Sequence, residues 1–96
     1  MIIWLPKESH SRFIEKVEDR AKEVICSLMG KYINSSREER GKIKGKEKAK
    51  EVSLPVEINL ENDKKLLEKF KEECNKDKKL HENVLVDLIE MYNLRD

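Results

Sequence analysis

The stretch Val52-Ser53-Leu54-Pro55-Val56-Glu57-Ile58-Asn59-Leu60 decides the fold class. Its apolar residues fall at alternate positions, and from Val56 to Leu60 the alternation is unbroken. Period two places successive side chains on opposite faces of a strand, so this segment predicts a half-buried β-strand. Pro55 has no N–H to give to a ladder. It therefore restricts the strand to a sheet edge, or marks its first residue. On the other face lie Glu57, Asn59 and Glu61.

Downstream, the period changes from two to between three and four. Asn62 or Asp63 is placed to cap a helix whose apolar face is Leu66, Leu67, Phe70 and Cys74. Asn75-Lys76-Asp77-Lys78-Lys79 reads as a polar turn, with Leu80 tucked beneath it. A last helix carries Val84, Leu85, Leu88, Ile89 and Tyr92 on one side. Residues 52–96 thus form a strand-helix-helix unit.

Upstream of the strand, residues 37–51 hold two glycines and one large apolar residue, Ile43. Such a segment has little to bury and reads as a basic linker. Arg40, Lys42, Lys44, Lys46, Lys48 and Lys50 occupy alternate positions, so an extended chain would present all six on one side. The segment carries a net charge of +3, against +1 for residues 1–36 and −3 for residues 52–96. Residues 1–36 form an N-terminal segment. Phe13, Ile14, Val17, Ala21, Val24, Ile25, Leu28, Met29, Tyr32 and Ile33 recur at steps of three and four. This predicts one long amphipathic helix over about 8–34. Ile2-Ile3-Trp4-Leu5, stopped by Pro6, is a brief strand or an apolar arm. The ending Val24-Ile25-x2-Leu28-Met29-x2-Tyr32 echoes the ending Val84–Tyr92, but the long helix is the preferred reading over a degenerate duplicate. The fold class expected is mainly α with one short β-strand.

Ile58-Asn59-Leu60, then Leu66-Leu67-x2-Phe70-x3-Cys74, then Val84-Leu85-x2-Leu88-Ile89-x2-Tyr92 together resemble the ribbon-helix-helix family of DNA-binding proteins, over residues of about 52–94. The resemblance implies a homodimer in which the strand pairs with its twin and the two-stranded ribbon enters the major groove of double-stranded DNA. A lone strand with one apolar face needs such a partner. On this reading Val56, Ile58, Leu60, Leu85, Leu88, Ile89 and Tyr92 form the dimer interface. Asn59 and Glu57 face bases, since Asn pairs with adenine and Glu can accept from cytosine. Arg40, Lys42, Lys44, Lys46, Lys48 and Lys50 follow the phosphates as a basic arm. The function implied is transcriptional regulation. The alternative is a protein-protein interaction module, antitoxin-like or a viral accessory protein, taking its partner through the 8–34 helix.

Composition excludes other classes. There is no phosphate loop, nucleophile elbow or HExxH, and few apolar residues remain to wall a pocket, so an enzyme is not expected. Cys26 and Cys74 fall on apolar helix faces and lack ligand spacing with His81, which predicts small buried hydrophobes and no metal or cofactor. No apolar run is long enough to span a bilayer. The chain lacks Gln and Thr and is rich in Lys and Glu, a thermophile tendency that suits an archaeal or viral source and a cytoplasmic location.

Overall fold

The computed structural model describes residues 1–45 and 52–95. Two strands and five helices follow in the order β1 (Ile2–Pro6), α1 (Lys7–Val17), α2 (Ala21–Asn34), α3 (Arg37–Gly41), β2 (Ser53–Glu57), α4 (Lys64–Lys76) and α5 (His81–Asn93). The protein is mainly helical with a small two-stranded antiparallel sheet. The single expected strand is therefore one of a pair, and its partner is the N-terminal run of the same chain.

The ribbon register sets Ile3 opposite Val56, Trp4 opposite Pro55 and Leu5 opposite Leu54. Lys7 N–H donates to Val52 O at 3.0 Å, and Met1 and Ile58 exchange bonds at the other end. The ladder bonds thus belong to the residues that face inward, and Pro55 falls at a non-bonded pair, where its missing N–H costs nothing. Ile3, Leu5, Val56 and Ile58 are buried, while Ile2, Trp4, Pro55 and Glu57 face solvent. Regular strand ends at Glu57, earlier than the alternation suggested. Asn59 Oδ1 accepts from Glu61 N–H at 2.9 Å, and this Asx turn diverts the chain into a 3-10 turn at Glu61–Asp63. Asp63 holds the N-cap position of α4 but makes no side-chain cap bond; its carboxylate lies 3.2 Å from Lys22 Nζ.

The long N-terminal helix breaks in two. Glu18 takes φ 55 and ψ −115, and α2 starts afresh at Ala21. At 1.5 Å per residue an unbroken helix over 8–34 would run about 40 Å. The molecule measures only 31 × 30 × 25 Å, so a stripe of that length would find no core to cover it. Folding back at Glu18 brings both parts of the stripe onto one core.

The break completes a second strand-helix-helix sequence, and the echo in the sequence becomes architecture. Buried Phe13 and Val17 of α1 match Phe70 and Cys74 of α4. Ile25, Leu28, Met29 and Tyr32 of α2 match Leu85, Leu88, Ile89 and Tyr92 of α5. Positive φ recurs at Glu18 and Lys78, in the turn of each half. The halves interlock, since α1 packs mainly on α5 and α4 mainly on α2. Phe13 meets Tyr92 edge-on at 6.2 Å, and Phe70 meets Tyr32 edge-on at 5.6 Å. Each aromatic pair crosses between halves. One buried cluster draws on all of these elements, with no boundary between residues 1–36 and 52–96.

The segment read as a linker is partly structured. Ser36 Oγ accepts from Glu39 N–H, the N-terminal half of a capping box, and starts α3. Ile43 is buried in the core. Gly45, at φ +64, donates its N–H to Asp87 Oδ2 at 2.8 Å, and a Cβ there would sit 3.2 Å from Val84 Cγ2. Leu80, expected beneath its turn, is instead 67% exposed.

Candidate functional site

The outer face of the ribbon gathers exposed apolar side chains. Alternation turns Ile3 and Leu5 into the core and leaves Ile2 and Trp4 outside, 49% and 57% exposed. Trp4 stands opposite Pro55, at a pair where side chains approach most closely. Ile2 faces Glu57. Val52, 71% exposed, has the parity of the inward residues and lies at the ribbon's end beside the start of α1, off this face. The edges are blunted. The ladder turns the backbone groups of Pro6 and Pro55 outward, neither proline has an N–H, and Pro55 O accepts from His10 Nε2 at 3.1 Å. The ribbon therefore offers a face of side chains more than an edge for strand addition.

The residues expected to touch DNA are scattered. Glu57 is exposed on the ribbon face. Asn59 lies beyond the strand, its carbonyl oxygen used by the Asx turn. Arg40 is turned inward: its guanidinium pairs with Glu73 at 3.1 Å and Asp77 at 3.4 Å, and stacks 4.7 Å over the Tyr32 ring. Lys79 Nζ donates to Arg40 O at 2.6 Å, and Tyr32 Oη donates to Asp77. This cluster fixes α3 against α4. It holds the Glu73 carboxyl below its usual range, chiefly through the hydrogen bond from Arg40. Burial first, and the bond to Asp77 second, push the Tyr32 hydroxyl well above the usual tyrosine range. Lys42 and Lys44 are exposed, while Lys46, Lys48 and Lys50 lie outside the described residues.

The residues expected at a dimer interface have partners within the chain. Val56, Ile58, Leu60, Leu85, Leu88 and Ile89 are buried in the single-chain core, and Tyr92 is half-buried against Phe13. The partner strand that the alternation demanded comes from β1, so their burial needs no second subunit. The 8–34 stripe offered to a protein partner is likewise spent on the core, apart from Ile14, which is 40% exposed. Sequence reasoning passed over Trp4, because a run of apolar residues shows no alternation until its partner strand is known.

Cys26 and Cys74 are free thiols. Burial raises both, and carries Cys74 to about 12. Among the described residues no cluster of His, Cys, Asp and Glu could hold a metal, and no helix is long and apolar enough to cross a membrane. No protein-family model, curated protein or solved structure matches the chain.

Proposed function

We propose that this chain is a protein-interaction module that docks a partner protein on the outer face of its ribbon. The observation that carries the reading is the outer cluster Ile2, Trp4 and Pro55, held outward by a strand pair whose inward residues are locked in the core. Exposed apolar clusters on small proteins mark contact sites, and Trp is among the residues enriched at the anchors of such contacts. Strands of this length cover a footprint of only about 170 Å². Stable interfaces need about 800 Å² from each partner. The partner therefore has a cleft that clasps the ribbon and continues onto its flanks, which argues against a second copy stacked face to face.

Double-stranded DNA is the second reading, and a transcriptional regulator its context. It is favoured by the repeated strand-helix-helix order around one ribbon, which extends the ribbon-helix-helix resemblance from residues 52–94 to both halves. It is also favoured by the exposed Lys42 and Lys44. The face itself favours protein, since Ile2, Trp4 and Pro55 have no groups to pair with base edges.

One residue reports on both readings, because Trp4 is the sole tryptophan. Quantitative capture with the wild-type chain, and with a variant carrying Ile2→Ser and Trp4→Ser, should yield a protein that only the wild type retains. That protein, once purified, should shift Trp4 emission to the blue on binding. Equal capture by both chains overturns the docking face. A mixed-sequence duplex titrated by anisotropy at low and physiological salt tests the second reading. Tight binding with a steep salt slope and a Trp4 shift would replace protein with DNA as the partner.

A further inference from the structure

We propose a second binding site, for a small amphiphilic anion such as an acyl carboxylate, in the groove between α2 and α5. The groove encloses about 580 Å³, within the range of about 300–1,000 Å³ typical of small-molecule sites and too small for a helix. It lies where the two halves meet. Leu28 and its counterpart Leu88 form the floor, Ile43 closes the side below α3, and Met91, 44% exposed, stands at the mouth.

The rim decides the ligand's charge. Lys31, Lys42 and Arg95 line the groove, against the single carboxylate of Glu39. All three cations are exposed, and among the described residues none of them is in an ion pair. Arg40, by contrast, is committed to Glu73 and Asp77, and Lys22 to Asp63. An apolar floor below unpaired cations complements a ligand with an apolar chain and one anionic head. The chain gains from leaving water and the head from the rim charges. A neutral lipid would forgo the rim, and a compact anion such as phosphate would forgo the floor. The site is distinct from the ribbon face: Ile2, Trp4 and Pro55 contribute nothing to its lining.

Decanoate, kept below its micellar concentration, is the probe. Calorimetry with the full chain should give saturable binding of one decanoate per chain. Methyl resonances of Leu28, Leu88 and Met91 should shift, while Trp4 emission stays constant. Decanol should bind more weakly. A variant with Lys31→Glu and Arg95→Glu, both at exposed positions, should keep the wild-type circular dichroism and lose about tenfold in affinity. Met91→Glu should abolish binding. The absence of saturable binding overturns the site, and so does binding that shifts Trp4 in place of the groove methyls. Decanol equal to decanoate, or a charge-reversed variant that binds normally, overturns the role of the rim and with it the assignment of an anion.

Discussion

The two halves bury the same scheme of residues and end it differently. Phe13 and Phe70, then Tyr32 and Tyr92, form matching edge-on pairs across the core. Yet Tyr32 is fully buried beneath Arg40 and bonded to Asp77, whereas Tyr92 is half-buried beneath Lys16, which stands 4.6 Å above its ring. In the first half, strand runs directly into helix at Pro6. In the second, the Asx turn and the 3-10 turn intervene. The core has kept the repeat, and the connections and surfaces have diverged. A pattern of buried side chains constrains both halves alike, while turns and exposed faces answer to nothing the halves share.

The largest expected effect tests whether the crossed pairs are equal. Phe70→Ala and Phe13→Ala should each destabilise by about 3–5 kcal/mol, as large-to-small changes in a packed core do. Phe70→Ala should cost more, because its partner Tyr32 cannot relax towards solvent. Urea unfolding measures both, and a single transition should persist in each variant. Two separate transitions would break the interlocked description.

Next comes the clamp found only on the Tyr32 side. Arg40→Ala should lower stability by about 1–3 kcal/mol at neutral pH, since it strips hydrogen bonds from charged partners. The wild type should lose this advantage in acid. The folded Glu73 carboxyl is depressed, so its contribution is present above the unfolded value of about 4.3 and fades as pH falls through the folded one. Urea midpoints of wild type and variant should converge on acidification, and parallel curves would remove the clamp.

Alkaline pH separates Cys74 from its counterpart Val17. The unfolded thiol ionises at about 8.5. The buried one holds its proton to about 12. Stability should therefore decline as pH rises between those values, and Cys74→Val should lessen the decline, leaving the contribution of Cys26 and, at higher pH, that of Tyr32. An unchanged slope would place the sensitivity elsewhere.

Smaller still are the two turns. Glu18→Gly and Lys78→Gly should each stabilise by about 0.5–1 kcal/mol, relieving positive φ at a residue with a Cβ. Glu18 should gain more, because ψ −115 takes it outside the left-handed helical basin. Thermal unfolding would show the order, and its reversal would make Lys78 the more strained turn.

Much of the second half was legible from its residues. The strand and both helices follow from periodicity, and a turn between the helices from its polar residues, although α4 runs on through Asn75 and Lys76 before it. The helical stripe of the first half was equally plain. The break at Glu18 was not, because Val17 and Ala21 keep the helical spacing and no glycine or proline intervenes. Tertiary packing imposed it on a residue with no local preference for it. Ser36 and Glu39 did announce α3, but the lysines around them outweighed a two-residue signal. The ribbon's outer face was hidden for another reason: which of Ile2, Ile3, Trp4 and Leu5 points outward depends on pairing with residues fifty positions away.

The interlocking of halves within one chain has a consequence for symmetry. Two identical subunits must present identical surfaces about their axis, so whatever they grip is drawn towards the same twofold pattern. Here Trp4 faces out from one strand and Pro55 from the other, at the very centre of the ribbon. Ribbon and core both close within one chain, so dilution should leave folding unchanged. The surface that results is directional, with a left and a right, suited to a target that is itself lopsided.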